Sequence, residues 1–308
     1  MHRYADPRYG ALDGEVRVSL AEVFQHADGT LDADVYQLIR ELVATGDRSM
    51  IAPARAALER YTAERNWYGR DLMAHVLAGL AGTEVFPRLL DLYADAMRRD
   101  DGDDWDFLGQ ALCTVMRADP AGCRVVVLPL VTDHDQHVRR AALWAIGYVF
   151  EPSDMAMLRA ALADPERWIR FTALGSLPGV YDNPEIYDLL VATLRDPDQW
   201  VQREAVLLLA WSAPPEVVDH LIPLISKPAF HARSALGEAI GRRAANSDRI
   251  PAAAAALRQL LADPEPSVRT GAIRGIGLLG EPLDAVEPFA DDPDWRVRSA
   301  VADVLRLT

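Results

Sequence analysis

The sequence contains few cysteines, almost no lysine and no long apolar run. Its 308 residues include two cysteines, Cys113 and Cys123, which are too few for a disulfide scaffold or a four-ligand zinc site. No apolar stretch approaches the roughly 18 residues that cross a bilayer, so a membrane protein is excluded. The first ten residues, MHRYADPRYG, lack the apolar segment of a signal peptide. Together these absences predict a protein of the reduced cytoplasm.

The chain is strongly acidic, and nearly all of its positive charge is arginine. It has 32 basic and 46 acidic residues, for a net charge of −14 at pH 7, and Lys227 is the single lysine. Arginine in place of lysine is typical of a GC-rich genome, which favours a bacterial source. An acidic surface disfavours non-specific binding to nucleic acid or anionic lipid. The charge therefore disfavours nucleic acid as a partner and gives no indication of a membrane.

Six segments of similar sequence follow one another in the second half of the chain. Successive segments start 31, 32, 31, 36 and 29 residues apart, which is the length of two short helices and two turns. We call the first residue of each segment its frame start; these are Asp133, Asp164, Asp196, Lys227, Asp263 and Asp292. Repetition with this period predicts a stack of helix pairs, because one pair cannot bury its apolar face alone.

Each frame is predicted to open the second helix of a pair. The frame Asp is expected to cap that helix, and the Pro that follows it in four frames is expected at the first helical position. Apolar residues stand five, nine and thirteen positions after each frame start, as Ile169, Ala173 and Leu177 do. Spacings of four make one buried helical face. The segment before each frame, such as SDMAMLRAALAD or EPLDAVEPFADD, is predicted to form the first helix.

An arginine stands six positions after five of the six frame starts. Each is expected to bond the frame Asp of its own or the adjacent repeat, which would form a ladder along the stack. These arginines are Arg139, Arg170, Arg233, Arg269 and Arg298. The ladder predicts a structural role for them and not a phosphate site.

The pattern D-P-x-x-x-V-R-x-x-A-x-x-A-L-G resembles HEAT repeats, specifically the short bacterial type also found in phycobilin lyases. The resemblance covers Asp133–Thr308 and departs from the pattern at Lys227, Gln202 and Pro178. It implies an all-α fold, an α-solenoid of stacked antiparallel helix pairs of the armadillo type. We predict a single domain over residues 1–308, with six clear repeats in 133–308 and degenerate helical repeats in 31–132. Residues 1–30 show no clear period and are predicted to be an irregular arm or cap.

One outward stripe of the second helices is a candidate binding surface. Positions four, seven and eleven after a frame start lie within about 60° of each other on a helix. In a solenoid the second helices usually line the concave side, and arginine and tryptophan are enriched at binding hot spots. An alternative is that Trp168 and Trp200 stack on each other and only fill the groove. The candidate residues are His137, Arg140, Trp144, Trp168, Phe171, Trp200, Arg203, His231, Glu238, Arg274 and Arg296.

The segment WVQREAV resembles the arginine-bearing helix of HEAT-like alkylpurine DNA glycosylases, which would give that role to Arg203. Those enzymes carry an aspartate in a WxxxD pattern, but Thr172 stands four residues after Trp168. Trp67 and Asp71 do form WxxxD, but too early in the chain for the family's spacing. Without that carboxylate nothing balances the cation that develops on the sugar.

Other catalytic patterns are absent from the sequence. No His is followed by Glu, which excludes the HEAT-like class that holds two irons on His-Glu dipeptides, and no Walker A, nucleophile elbow or HExxH is present. Both cysteines are expected to be packed thiols. We therefore predict no catalytic residue, no cofactor and no metal. The predicted function is a non-enzymatic scaffold that binds a protein or peptide in its groove. The alternative is a DNA-binding protein of the alkylpurine DNA glycosylase type, active or inactive.

Overall fold

The computed structural model describes residues 19–29, 34–99, 105–177, 184–227, 232–280 and 282–306. These residues form α-helices, short 3₁₀ segments and turns, with no strand among them. Within these ranges, no helix is both long enough and apolar enough to cross a membrane. The chain divides between Phe150 and Glu151 into two compact units, called here unit 1 and unit 2. The assignment of residues 1–308 to one domain stays a prediction.

Unit 1 consists of helices that pack side by side, and the described part of residues 31–132 is helical, as expected. In chain order they are α1 (Leu20–Ala27), α2 (Val35–Ala44), α3 (Ile51–Ala63), α4 (Trp67–Ala81), α5 (Phe86–Arg98), α6 (Asp106–Ala118), α7 (Pro120–Val127) and α8 (Gln136–Ile146). Alternate helices α2, α4 and α6 contact one another, and α3 packs on α4 as α5 packs on α6. This is the stacking of helix pairs that the periodicity predicted.

Helix α1 corrects the prediction for residues 1–30, which are not irregular throughout. The backbone N–H of Ser19 donates to Oε2 of Glu22 at 2.7 Å, which is half of a capping box. Leu20, Val23 and Ala27 are buried and give the helix an apolar face. The pattern S-x-x-E before an apolar run was the signal for this helix. Residues 1–18 lie outside the described residues.

Unit 2 contains five of the six clear repeats, and the second helix of the first repeat, α8, lies in unit 1. The helices of unit 2 are α9 (Met155–Ala161), α10 (Arg167–Gly175), α11 (Pro184–Thr193), α12 (Gln199–Ser212), α13 (Val218–Leu221), α14 (Arg233–Ala244), α15 (Ile250–Leu261), α16 (Pro266–Leu279) and α17 (Trp295–Arg306). The second helices α10, α12, α14, α16 and α17 contact each other in this order, and each first helix packs on its own second helix. This stacking is an α-solenoid, as predicted.

The first helix expected before the last frame does not form as an α-helix. The chain there forms two 3₁₀ segments, Leu283–Ala285 and Glu287–Asp291. Pro288 lacks a backbone N–H and disfavours a helical conformation in the residue before it, so a continuous α-helix is interrupted.

The buried face of the second helices follows the predicted spacing of four. All six residues nine positions after a frame start are buried, and so are five of the six at position five. The exceptions lie at the ends of the helices: Val138 and Leu177 are half-buried and Leu305 is exposed. The spacing therefore identified the core side of each second helix.

The frame Asp does not cap the helix, contrary to the prediction. In five frames its carboxylate accepts the backbone N–H of the residue two positions later, at 2.8–2.9 Å, and so forms an Asx turn. The helix begins after this turn and has its own cap: Asp198 accepts the N–H of Trp200 at 2.8 Å. The Pro therefore lies in the turn and not at the first helical position. The five frames start at Asp133, Asp164, Asp196, Asp263 and Asp292.

The predicted arginine ladder is present in unit 2. Nε and Nη2 of Arg170 donate to the two carboxylate oxygens of Asp196, the next frame start, at 2.7 and 2.9 Å. Nη1 of Arg170 donates to the backbone oxygen of Asp164 at 3.0 Å. Arg170 thus joins two repeats and also holds the turn of its own repeat, as Arg269 does. The same ion pair joins Arg233 to Asp263 and Arg269 to Asp292.

One rung of the ladder is changed at both of its positions. Gln202 stands where the arginine is expected, and Lys227 stands at the next frame start. Nε2 of Gln202 still donates to the backbone oxygen of Asp196 at 2.7 Å. Gln202 and Lys227 line one pocket of about 370 Å³. Because an arginine at 202 would face a lysine instead of a carboxylate, the two departures compensate each other.

Helices α14 and α16 approach each other more closely than any larger residue would allow. A Cβ placed on Gly275 would lie 2.2 Å from the carbonyl oxygen of Gly237, and one on Gly237 would lie 2.4 Å from the carbonyl carbon of Gly271. Gly241 meets Gly275 in the same way. These four glycines let two backbones touch, which brings the outward faces of two successive repeats together.

Candidate functional site

Helices α12, α14 and α16 and the first turn of α17 surround an open pocket in unit 2, called here the unit 2 groove. Its volume is about 320 Å³. Charged and aromatic side chains form its walls, and small residues form its floor. The lining residues are Arg203, Leu207, Ala210, Trp211, Ser234, Ala235, Glu238, Ala239, Arg242, Ser267, Thr270, Gly271, Arg274 and Arg296.

Four of the predicted stripe residues come together in this groove. They are Arg203, Glu238, Arg274 and Arg296. Each stands four, seven or eleven positions after its frame start, so helical periodicity turns all four away from the core. Because α14 contacts both α12 and α16, stripes from neighbouring repeats lie side by side. Periodicity thus selects the face, and helix stacking gathers the residues.

Sequence reasoning missed Trp211 and Arg242, which also line the groove. Both stand fifteen positions after their frame starts, just beyond the frame as it was drawn from the repeats. Position fifteen lies about 40° from position eleven on a helix, so it continues the same stripe. Extending the frame by one residue would have identified both side chains.

A charged pair and a tryptophan form one wall of the groove. Nη2 of Arg242 donates to Oε1 of Glu238 at 2.8 Å, one helical turn away. The guanidinium carbon of Arg242 also lies 3.9 Å from the ring centre of Trp211, which is 60% exposed. The cation–π contact and the ion pair fix the guanidinium between the two partners. The wall therefore presents an oriented aromatic ring with little net charge.

The charge of Arg296 is balanced by Asp294, which stands just before α17. Nη2 and Nε of Arg296 donate to Asp294 at 2.6 and 3.0 Å. This hydrogen bonding lowers the pKa of Asp294 to about 2, so the carboxylate stays ionised at neutral pH. Arg296 therefore adds little net positive charge to the groove.

Arg203 and Arg274 are the groove's arginines that are not ion-paired within the described part of the chain. Both are exposed, and neither forms a hydrogen bond or an ion pair with any residue in the described part of the chain. Glu204 is next to Arg203 in the chain but does not hydrogen-bond to it; burial raises the pKa of Glu204, and the nearby charge of Arg203 lowers it in part. Two guanidinium groups are thus available to a ligand, one from α12 and one from α16.

The aromatic stripe residues earlier in unit 2 do not line the groove. Trp168 packs edge-on against Phe171, with ring centres 5.8 Å apart, and Arg167 lies over the Trp168 ring at 4.9 Å. Trp200 is 47% exposed and contacts no other aromatic ring among the described residues. The alternative in which Trp168 and Trp200 stack on each other is therefore wrong. A binding role for Trp168, Phe171 and Trp200 stays a prediction.

In unit 1, the stripe residues Trp144 and Arg140 belong to a packed cluster. The Trp144 ring lies between Tyr93 and Tyr148, with ring centres 4.5 and 4.9 Å apart. Arg140 is half-buried, and burial lowers the pKa of its guanidinium. These contacts give both side chains a structural role in unit 1. A binding role for Trp144 and Arg140 stays a prediction.

The stripe also included two histidines. His137 lies at the start of α8, half-buried, and its backbone N–H donates to Oδ1 of Asp135 at 2.8 Å. The cap of α8 thus explains its position, and a ligand-binding role stays a prediction. His231 lies outside the described residues.

The WxxxD pattern of unit 1 forms a buried structural contact. Nε of Arg70, a fully buried side chain, donates to Oδ1 of Asp71 at 2.8 Å, and the Arg70 guanidinium lies 4.9 Å from the Trp67 ring. A carboxylate already paired with a buried arginine is poorly placed to stabilise a developing cation. In the second half of the chain, Thr172 on α10 still stands where the aspartate would be needed.

The two cysteines are buried free thiols, as predicted. Burial is the main cause that raises the pKa of the Cys123 thiol to about 12. The nucleophile is the thiolate, so Cys123 is unreactive at neutral pH. Within the described ranges, no three His, Cys, Asp or Glu side chains gather as a metal site.

The sequence of unit 2 matches a family of repeat proteins. A family model described as HEAT repeats matches residues 156–241 and 224–306. No curated protein matches the sequence significantly. Among solved structures, the chain is similar to an engineered protein, with 18% identity, a TM-score of 0.44, and 92% and 88% of the two chains covered.

Two natural proteins show a similar level of likeness. Human deoxyhypusine hydroxylase in complex with glycerol is 18% identical, with a TM-score of 0.33, and the match covers 84% of this chain and 96% of that one. YibA of Escherichia coli is 18% identical, with a TM-score of 0.38, and 99% of each chain is covered. The family match falls on the repeats of unit 2, whose helix pairs, turns and arginine ladder are described above. Residues 156–306 of the chain therefore consist of HEAT repeats.

Proposed function

We propose that this HEAT-repeat chain is a non-enzymatic scaffold that binds a protein or peptide partner in the unit 2 groove. The observation that carries the proposal is that side chains from four successive second helices line one open pocket. Two exposed arginines and an exposed tryptophan stand in it, and these residue types are enriched at binding hot spots. Stacked repeats commonly present such surfaces to partners.

The charges of the groove favour a protein over a nucleic acid. Arg242 and Arg296 are already paired with carboxylates, which leaves Arg203 and Arg274. A duplex places one negative charge about every 1.7 Å along its axis, so binding it well requires many cations. The net charge of −14 opposes such a polyanion at long range.

The proposal is tested by partner capture and thermal unfolding of matched variants. Arg203→Ala and Trp211→Ala should each weaken capture of the partner from lysate of the native host by about 30-fold or more, which corresponds to about 2 kcal/mol. Neither should change the melting temperature much, because an exposed side chain contributes little to stability.

Two control variants lie outside the groove. Trp295 is 68% exposed and matches Trp211, and Arg195 is exposed and matches Arg203. Trp295→Ala and Arg195→Ala should leave capture unchanged. If all four variants capture the partner equally well, the unit 2 groove is not the binding surface.

A further inference from the structure

We infer that the ligand of the unit 2 groove is an acidic peptide segment that pairs its carboxylates with Arg203 and Arg274 and sets an apolar side chain against Trp211. This inference rests on the proposed function and names the chemistry of the partner. It depends on the pairing of charges in the groove, on the spacing of the helices and on the shape of the floor.

The charges of the groove leave two guanidinium groups without a carboxylate. Glu238 takes Arg242, and Asp294 takes Arg296. Arg203 and Arg274 are exposed and have no such partner among the described residues. A guanidinium binds a carboxylate through two parallel hydrogen bonds, and such charge-assisted pairs are the strong ones. An acidic ligand would therefore supply the two carboxylates that the groove lacks.

The positions of the two arginines set the length of the segment. Arg203 is on α12 and Arg274 on α16, with α14 between them. Helices usually pack about 8–10 Å apart, and α14 and α16 are closer than that because their glycines touch, so the axes of α12 and α16 lie less than roughly 20 Å from each other. An extended chain covers about 3.3 Å per residue, and the long arginine side chains shorten the gap. Two acidic positions three to five residues apart would reach both guanidinium groups.

Small side chains would let a peptide backbone lie across α14. Ser234, Ala235 and Gly271 line the groove between the two arginines. The Ser234 hydroxyl forms no hydrogen bond with a described residue, so it is available to a peptide carbonyl or carboxylate. Beside this floor, the Trp211 ring is held by Arg242 at 3.9 Å and offers an apolar surface. The matching ligand carries an apolar residue between its acidic ones.

The test uses fluorescence polarisation with a labelled peptide. The probe is a fluorescein-labelled decapeptide in which two Glu-Glu pairs flank a Leu-Gly-Leu segment; the matched probe carries Gln at the four Glu positions. Arg203→Gln and Arg274→Gln should each weaken binding of the Glu probe at least tenfold. Arg195→Gln removes a similarly exposed arginine outside the groove and should have no effect. The Gln probe should bind the wild-type protein at least tenfold more weakly than the Glu probe.

Four results would overturn the inference, and three of them concern the peptide probes. These three are no binding of the Glu probe at millimolar concentration, equal binding of the Glu and Gln probes, and binding that Arg203→Gln and Arg274→Gln leave unchanged. A labelled DNA duplex of 16 base pairs is the third probe. Tighter binding of the duplex, weakened by the same two variants, would overturn it in favour of a nucleic acid.

The outcomes also separate this inference from the proposed function. If Trp211→Ala weakens capture of the partner while Arg203→Gln and Arg274→Gln do not, the groove binds a protein but not through acidic residues. If none of these variants changes capture while the Glu probe still binds through the two arginines, the groove binds acidic peptides but is not the partner site.

Discussion

The contact between α14 and α16 predicts that adding one methyl group will destabilise the protein. Gly275 lies inside α16 with helical backbone angles, so alanine there should gain about 0.5–1 kcal/mol from helix propensity alone. Its Cβ, however, would lie 2.2 Å from the carbonyl oxygen of Gly237, where ordinary van der Waals contact begins at 3.4 Å. The neighbour is backbone and cannot rotate away, so the helices must separate by about 1 Å.

That separation should cost more than the propensity gains. Overpacking of a well-packed contact costs about 1–3 kcal/mol, and the two helices also lose dispersion contacts along their length. We therefore expect Gly275→Ala to lower the free energy of unfolding by about 1–2 kcal/mol. The midpoint of thermal unfolding should fall by about 2–4 °C per kcal/mol.

The matched control is a glycine with open space around it. Gly175, the last residue of α10, would place a Cβ with no heavy atom within 4 Å. Gly175→Ala should leave stability unchanged or raise it by up to about 1 kcal/mol. Both variants are compared with the wild type by circular dichroism in a thermal and a urea series. Gly275→Ala with a stability equal to or above the wild type would refute the close approach of α14 and α16.

Two further predictions concern the ladder. Arg269→Ala should lower stability by about 1–3 kcal/mol more than Arg306→Ala, which removes a highly exposed arginine, and the difference should shrink as pH falls below about 4. Arg269 lowers the pKa of Asp292. The stability that the ionised carboxylate contributes is therefore present above the ordinary pKa of an aspartate and is lost when the carboxylate is protonated. A stability difference between the two variants that stays constant from pH 7 to pH 2 would contradict this. At the changed rung, Gln202→Arg with Lys227→Asp should show a favourable coupling of about 1–2 kcal/mol in a double-mutant cycle, and simple additivity of the two changes would argue against a compensated rung.

The repeat made most of the fold predictable from the sequence. A repeat of 29–36 residues identified the second helices, and spacings of four identified their buried faces. The prediction that the frame Asp caps the second helix was wrong. A short carboxylate can accept a backbone N–H either in an N-cap or in an Asx turn, and sequence alone does not distinguish these. In the Asx turn, the carboxylate of Asp196 also binds Arg170 of the preceding repeat, a contact that the sequence of one frame does not show.

The candidate site was predictable as a surface but not as a pocket. Helical periodicity placed Arg203, Glu238 and Arg274 on the outward face. Which of the stripe residues gather depends on how closely neighbouring helices approach, and this is set by glycines on the flank of the stripe, such as Gly237 and Gly275. Trp144 stood on the same predicted face but packs between Tyr93 and Tyr148. Tyr93 lies outside all six frames, and Tyr148 stands one residue beyond the first frame, so the frames did not predict this contact.

The two junctions on either side of α14 differ in ways that bear on the unit 2 groove. Toward α16, the backbones touch through glycines, and an ion pair joins Arg233 to Asp263. Toward α12, the rung of Gln202 and Lys227 has no ion pair among the described residues and borders a pocket. The junction next to Arg274 therefore has two independent restraints, the glycine contact and the ion pair, and the junction next to Arg203 has fewer. A ligand that bridges the two arginines must span both junctions. Gly275→Ala changes the junction near Arg274, and Gln202→Arg with Lys227→Asp changes the junction near Arg203, so the two ends of the ligand are perturbed separately.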